Sequence, residues 1–124
     1  MIELKNINGG YGKKQVLFDI NTIMHENEIT SIIGPNGCGK STLLEISSGL
    51  MKPYEGVVVA DGVNIHEMNA KDRAKKISVL SQQKNPGALT VRALVYHGRF
   101  PYLGYPRKYR DEDRKIVDEA MRTA

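Results

Sequence analysis

A glycine-rich loop limits what this sequence can fold into more than any other stretch. The pattern G-x-x-x-x-G-K-[ST] is matched at every fixed position by the run Gly34-Pro35-Asn36-Gly37-Cys38-Gly39-Lys40-Ser41. An apolar run at residues 29–33 enters the loop, and residues 40–48 leave it with the composition of a helix. A strand, a glycine loop and a helix in this order form the context in which the motif indicates a phosphate-binding loop.

The residue types of the loop suit a nucleoside triphosphate. The start of a helix offers unpaired backbone N–H groups and the positive end of its dipole to an anion. Glycines let the backbone curve close to phosphate groups, the ammonium of Lys40 is suited to the β- and γ-phosphates, and the hydroxyl of Ser41 is suited to Mg²⁺. The predicted nucleotide contacts in the loop are Gly34, Asn36, Gly37, Cys38, Gly39, Lys40, Ser41 and Thr42.

Composition limits the size and the setting of the protein. The 124 residues have room for one domain at most, and 40% apolar with 26% charged residues is typical of a soluble globular chain. No apolar run approaches a membrane span, and a single cysteine favours a reducing compartment. The net charge of +4 suits an anionic ligand, a membrane surface or a nucleic acid without choosing among them. No nucleic-acid signature stands out, so we expect no nucleic-acid partner.

Apolar periodicity and turn residues predict four separate strands and one β-hairpin. They lie at residues 2–8, 15–24 and 29–33, in a hairpin at 57–60 and 63–65 around Asp61-Gly62, and at 77–80. A turn is predicted at residues 9–12.

Capping residues predict four helices. The first spans residues 40–48 and is closed by Gly49, the second spans 70–75 behind Asn69, and the third runs from Thr90 to about His97. The last begins at residues 111–113 and has an apolar stripe formed by Ile116, Val117, Ala120 and Met121. Residues 84–88 are predicted to be a loop, and residues 99–110 to be irregular.

The order of these features resembles the nucleotide-binding subunit of an ABC transporter over the whole chain. Within that family, the sequence of residues 89–95 and 98–104 resembles that of the ATP-binding subunits that serve importers of iron–siderophore, haem or cobalamin chelates. The resemblance implies an α/β fold, the P-loop NTPase fold of the ABC ATPase type, with an N-terminal antiparallel β subdomain. It also implies that residues 1–83 form the β subdomain and phosphate-loop core, and that residues 84–124 begin the helical subdomain.

The resemblance assigns roles to two residues outside the loop. Tyr11 matches the aromatic residue that stacks on adenine, although a partly buried turn tyrosine is the alternative. Gln82 matches the glutamine that contacts Mg²⁺ and water at the end of a strand, and its neighbour Gln83 is the alternative. With Ser41, Gln82 completes the expected metal contacts, and the expected cofactors are ATP and Mg²⁺.

The resemblance also implies partners and a location. The family's subunit couples ATP hydrolysis to uptake, here of a metal chelate, as a dimer with a second ATP-binding subunit. It meets transmembrane permease subunits, here through about residues 84–104. It lies in the cytoplasm, peripheral on the inner face of the cell membrane.

The second half of the family's pattern does not occur in the sequence. We find no Leu-Ser-Gly-Gly-Gln-like signature and no apolar strand that ends in Asp-Glu. Asp118-Glu119 follows only two apolar residues within a helical pattern, so we interpret the pair as surface charge on a helix. The sequence therefore predicts an incomplete domain, the N-terminal half of an ATPase subunit. This chain should bind nucleotide and hydrolyse it inefficiently, with no complete catalytic set of its own.

Other functions are less well supported by the residues. A small-molecule kinase or a GTPase would show an acceptor-site motif or Asn-Lys-x-Asp, and neither occurs. An ABC-type ATPase acting on DNA and a nucleotide-binding remnant without activity remain the alternatives. The three histidines and Cys38 have no metal-ligand spacing. Cys38, which lies near a lysine and a helix start, is either a modifiable thiol or simply a tolerated small residue.

Overall fold

The computed structural model describes residues 1–82 and 87–124, which form two compact units, Met1–Ile77 and Ser78–Ala124. In the first unit, four antiparallel strands form one sheet in the order β2-β1-β3-β4. The strands are β1 (Ile2–Tyr11), β2 (Lys14–Met24), β3 (Glu55–Ala60) and β4 (Val63–Asn64), and the helices of this unit are α1 (Lys40–Ser47) and α2 (Ala70–Lys76). The second unit contains α3 (Val91–His97), a 3₁₀ turn (Phe100–Tyr102) and α4 (Asp111–Thr123).

The hairpin formed by β1 and β2 extends further than the sequence predicted. Strand β1 continues to Tyr11, which pairs with Lys14, so the turn lies at Gly12-Lys13 rather than at residues 9–12. The cause is the close approach of the two strands at Gly10, where an added Cβ would lie 2.1 Å from the carbonyl oxygen of Lys14. Glycine permits this close pairing because it has no side chain. The turn was predicted at residues 9–12 because consecutive glycines usually indicate a turn.

Two predicted strands are absent from the described residues. Residues 29–33 and 77–80 make no ladder with any other strand there, and Ile29 and Leu80 are 97% and 92% exposed. An apolar run favours a buried strand, but a strand forms only when its N–H and C=O groups pair with a neighbour. The prediction was wrong because the pattern carries no information about whether such a neighbour is present.

The core of the first unit lies between the sheet and helix α1. Its buried side chains are Leu4, Ile7, Leu17, Ile46, Val58, Ala60 and Ile65. Helix α1 contributes Ile46, whose Cδ1 atom would lie 2.5 Å from a Cβ added at Gly9 of β1. The missing side chain of Gly9 therefore lets the C-terminal part of the helix pack closely on the hairpin.

Local signals correctly predicted the turn at Asp61-Gly62 and the caps of three helices. The Asn69 side chain accepts a hydrogen bond from the backbone N–H of Asp72 at 2.9 Å, and Thr90 accepts one from that of Ala93 at 3.2 Å. Asp61 and Gly62 have φ values of 48° and 79°, which suit a two-residue hairpin turn. Helix α1 ends at Ser47, and Gly49 follows with a φ of 80° as predicted.

In the second unit, a buried carboxylate joins α4 to the segment before it. Asp113 is 4% exposed, and it accepts hydrogen bonds from Arg99 Nε at 2.7 Å and from the backbone N–H of Arg110 at 2.8 Å. The backbone hydrogen bond from Arg110 and the Arg99 guanidinium lower the pKa of Asp113. Asp118 lies on α4 as predicted, paired with the Arg92 guanidinium, and both side chains are half exposed. Of the predicted apolar stripe, only Val117 is buried.

The lowered pKa of Asp113 gives the second unit an acid-dependent stability. Ionised Asp113 stabilises the fold above the ordinary aspartate pKa of about 3.9, and this contribution is lost as the pH falls through the lowered pKa of the folded state. We expect Asp113→Asn to reduce the amide-exchange protection of α4 in the full chain at pH 7. Once the pH is below the lowered pKa of the folded state, the variant and the parent should converge.

The control is Asp118→Asn, which makes the same change in a half-exposed ion pair on the same helix. It should change protection much less at pH 7. Equal effects of the two substitutions would contradict a special role for the buried carboxylate.

Candidate nucleotide-binding site

The glycine loop joins an extended segment to the first turn of α1. Gly37 and Gly39 have φ values of 82° and 100°, in the left-handed region that favours glycine. The Cys38 N–H donates to the Pro35 carbonyl oxygen at 3.3 Å, and the Leu43 N–H donates to that of Gly39 at 2.9 Å. The loop thus turns directly into the helix, as the motif predicts.

The three glycines of the motif serve different purposes. A Cβ added at Gly39 would lie 2.9 Å from Val16 Cγ1 and 3.0 Å from Leu17 Cδ2, so β2 packs against the loop there. A Cβ at Gly34 would lie 2.6 Å from Cys38 Sγ, whereas one at Gly37 would meet nothing within 4 Å. At position 39, both the left-handed backbone conformation and the contacts with β2 favour glycine. At position 37, only the backbone conformation does.

The ammonium group of Lys40 folds back over the loop. Its Nζ donates to the carbonyl oxygens of Gly34 at 2.6 Å and Pro35 at 2.7 Å, and lies 3.9 Å from Cys38 Sγ. No carboxylate pairs with Lys40 in residues 1–82 and 87–124. The loop therefore contains a positive charge that only neutral dipoles solvate, which favours an anionic ligand.

The N-terminus of α1 is open to a ligand. No side chain caps it, and its first turn contains no acidic residue that would oppose an anion. Ser41 is exposed, so its hydroxyl is free to meet a metal ion from solvent, whereas Thr42 is buried against the rest of the unit. Asn36 and Cys38 are also exposed on the loop.

Tyr11 lies beside this helix. Its side chain is 51% exposed, and its hydroxyl accepts a hydrogen bond from Thr42 Oγ1 at 3.2 Å and donates one to Glu45 Oε2 at 3.3 Å. The structure thus brings the predicted adenine contact to the helix that carries the phosphate loop. The turn after Tyr11 is held by Tyr54, whose hydroxyl donates to the Gly12 carbonyl oxygen at 2.5 Å.

The predicted magnesium contact at Gln82 lies in the second unit and is exposed. Its proposed role in contacting Mg²⁺ and water stays a prediction. The alternative, Gln83, lies outside the described residues, as do residues 84–86 of the predicted permease contact.

Glu45 and Tyr54 were missed by reasoning from the sequence. Glu45 follows Thr42 by three positions, so the two share a helix face, and this spacing would have revealed the pair once Tyr11 was placed beside it. Nothing in the sequence marks Tyr54, because its contact with Gly12 joins residues 42 positions apart.

Other groups in the described part of the chain do not form a second site of this kind. Within it, no three His, Cys, Asp or Glu side chains are placed to hold a metal ion. A cavity of about 390 Å³ is lined by residues that include Met24, Asp61 and Lys76, and none of its lining residues belongs to the loop. No helix among the described residues has the length and apolar composition needed to cross a membrane.

Comparison with known proteins decides the family. The model of the family described as "ABC transporter" matches residues 17–123, which include the whole loop. The chain belongs to the ABC transporter family. This confirms the family to which the order of motifs pointed.

Similar curated proteins are named for the import of iron chelates. The iron(3+)-hydroxamate import ATP-binding protein FhuC of Bacillus subtilis (strain 168) is 42% identical over 113 residues, which are 90% of this chain and 42% of that protein. The petrobactin import ATP-binding protein YclP of the same organism is 45% identical over 122 residues, which are 98% of this chain and 48% of that protein. The chain therefore spans less than half the length of these relatives.

Solved structures show the same fold. A dimeric structure of MJ0796, described as a bacterial ABC transporter cassette, has a TM-score of 0.78 and 34% identity, and the match covers 98% of this chain and 56% of that one. A putative metal-chelate type ABC transporter is similar in fold, with a TM-score of 0.69 at 21% identity over 98% of this chain and 44% of that one. The predicted α/β fold of the ABC ATPase type, with its antiparallel β subdomain, is confirmed as part of such a cassette.

The two left-handed glycines allow the packing of the loop to be tested. Alanine at Gly37 or Gly39 should cost about 1–2 kcal/mol of unfolding free energy because of the backbone conformation. Gly39→Ala should cost about 1–3 kcal/mol more, because Val16 and Leu17 must shift to admit a Cβ. Urea unfolding followed by circular dichroism measures the difference, with Gly37→Ala as the matched control. Equal losses would show that the loop does not press against β2.

Proposed function

We propose that the chain forms the nucleotide-binding part of an ATP-binding subunit of an ABC importer, which couples ATP binding and hydrolysis to the uptake of a metal chelate. The observation that carries this proposal is the Lys40 ammonium, held by two loop carbonyls in front of an open helix N-terminus. Family membership supports it independently.

The loop is suited to the phosphate groups of ATP. Gly37 has no side chain that would extend into the open space beside the loop, and the first N–H groups of α1 are without side-chain caps. Lys40 exchanges its two carbonyl partners for phosphate oxygens, which are charged and therefore stronger acceptors. Asn36, Cys38 and Thr42 contribute main-chain or side-chain contacts along the same loop.

The residues that face solvent suit Mg²⁺. The hydroxyl of Ser41 and the amide oxygen of Gln82 are hard oxygen donors, and both residues are exposed. When it is bound, the metal ion neutralises charge on the phosphate groups. Ser41 follows Lys40 directly, so the same turn of α1 supplies the ammonium and the hydroxyl.

Tyr11 is proposed to stack on the adenine ring. A half-exposed ring held at its hydroxyl offers a face to a planar base, and it lies beside the helix that begins at the phosphate loop. The substrate class rests on relatives that are named for the import of iron(3+)-hydroxamate and petrobactin. The proposed substrate of the transporter is therefore a metal chelate.

We expect the 124-residue chain to bind Mg·ATP and to release phosphate at a rate near background. Efficient hydrolysis needs positioned water, metal and charge stabilisation together, and the signature and the strand ending in Asp-Glu do not occur in the sequence. Lys40→Ala should weaken ATP binding about ten- to a hundred-fold, because it removes a charge-assisted hydrogen bond. Calorimetric titration with Mg·ATP measures the affinity, and a phosphate assay measures the turnover.

The matched control is Lys71→Ala, which removes an exposed lysine from helix α2 and should leave the affinity unchanged. If both substitutions weaken binding equally, the loop is not the site. Steady phosphate release that Lys40→Ala abolishes would show that the chain hydrolyses ATP without the second half of the pattern.

The second unit is proposed to contact a transmembrane permease subunit through about residues 84–104. Within the described part of this stretch, Leu94, Phe100 and Tyr102 are exposed, and Phe100 stacks on His97 at a centroid distance of 5.1 Å. Exposed apolar and aromatic side chains are typical of a surface that binds another protein. The subunit would then lie in the cytoplasm, peripheral on the inner face of the membrane, as a dimer with a second ATP-binding subunit.

Photo-crosslinking in membranes tests this contact. A benzoylphenylalanine placed at Leu94 of the membrane-bound complex should form an adduct with a permease subunit. The same probe at Lys71, on a helix of the first unit, serves as the control and should not. If no probe between residues 87 and 104 reaches a membrane subunit, the proposed interface is wrong.

A further inference from the structure

We infer that Glu45 is a positioning residue for Tyr11, which it holds against the helix that carries the phosphate loop. The inference rests on the proposed function, because it assumes that Tyr11 stacks on the base of a nucleotide bound at this loop.

The hydrogen bonds around Tyr11 have only one consistent direction. An ionised carboxylate accepts hydrogen bonds and donates none, so the single Tyr11 O–H is donated to Glu45 Oε2, 3.3 Å away. The Tyr11 oxygen then accepts the hydrogen of Thr42 Oγ1, 3.2 Å away. Thr42 is buried, so its hydroxyl has little access to water as an alternative partner. The chain Thr42 to Tyr11 to Glu45 therefore gives the tyrosine hydroxyl one donor and one acceptor, both on α1.

Among the described residues, the Glu45 carboxylate has no other partner that explains an acidic side chain at this position. None of the salt bridges within residues 1–82 and 87–124 involves Glu45. Its carbonyl oxygen accepts hydrogen bonds from the N–H groups of Leu50 at 2.9 Å and Met51 at 3.1 Å, but any residue at this position would supply that carbonyl. The contact that needs an acceptor side chain at position 45 is the one with Tyr11.

A fixed distance between ring and loop is what this contact provides. Tyr11 stands on the hairpin, whereas the phosphate loop opens into α1, and a nucleotide has to meet both with its base and its phosphates. A half-exposed tyrosine without partners would occupy several rotamers, and ordering it on binding would cost entropy. Tyr54 fixes the backbone of the turn at Gly12, while Thr42 and Glu45 fix the far end of the ring. The platform is thus ordered before the base arrives.

The test compares two ligands that share the phosphate chain. Mg·ATP contains the base and the ribose, and Mg·tripolyphosphate contains neither, so the ratio of their affinities reports on contacts to the nucleoside rather than to the phosphates. We expect Glu45→Ala to lower the ATP affinity about two- to ten-fold, the effect of losing one modest hydrogen bond. The ratio of ATP affinity to tripolyphosphate affinity should fall by the same factor. Alanine favours helix, so α1 should be retained, and circular dichroism checks this.

Two further variants separate positioning from charge and from packing. Glu45→Gln keeps an acceptor oxygen without the charge and should restore most of the ratio. Tyr11→Phe removes the hydroxyl and with it the contacts to both Glu45 and Thr42, so it should lower the ratio at least as much as Glu45→Ala does. The double variant should be no worse than Tyr11→Phe alone, because the contact with Glu45 is already lost there.

Each outcome has a definite meaning. A lowered ratio in Glu45→Ala that Glu45→Gln restores supports the inference. An unchanged ratio in Glu45→Ala overturns it, and so does an equal loss of affinity for both ligands, which would indicate damage to the loop. A parent chain that binds neither ligand overturns the proposed function itself and the inference with it.

Discussion

Helix α1 packs on the β1–β2 hairpin at two glycines, and the arrangement of the candidate site depends on that contact. Gly9 of β1 admits Ile46 near the C-terminal end of the helix, and Gly39 admits Val16 and Leu17 of β2 at its start. An interior packed at the density of organic crystals transmits such a constraint along a short, stiff helix. Because both glycines act on one helix, they fix where it starts, and with it the direction of the loop and the neighbourhood of Tyr11.

Features that depend on a few adjacent residues could be predicted from the sequence. The loop, the turn at Asp61-Gly62 and the caps at Asn69 and Thr90 each follow from the chemistry of two to eight consecutive positions. The same reasoning placed Asp118 on a helix surface, where the structure pairs it with Arg92. In these cases the hydrogen-bond partner lies only a few residues along the chain, or a short stretch of sequence is enough to show the helical spacing of the apolar residues.

Features that depend on distant pairing could not be predicted. Residues 29–33 have the composition of a buried strand, yet strand formation is decided by neighbours that a composition does not specify. The extension of β1 to Tyr11 depends on the approach of Lys14 to Gly10, and the attachment of the Tyr11 hydroxyl depends on a helix 31 positions away. The sequence thus named Tyr11, Lys40 and Ser41 as site residues, but the structure was needed to find Glu45 and Tyr54 beside them.

The resting position of Lys40 has a consequence for which anions the loop can hold. Its ammonium has three N–H donors and gives two of them to carbonyl oxygens, so an anion that accepts two hydrogen bonds from it has to displace at least one carbonyl. A lone inorganic phosphate offers one small charged group to the ammonium and to the helix N-terminus at once. A chain of phosphates offers separate oxygens to each, so it can replace a displaced carbonyl contact more readily than a lone phosphate can. We therefore expect the resting contacts of Lys40 to favour a polyphosphate over a simple anion at this loop.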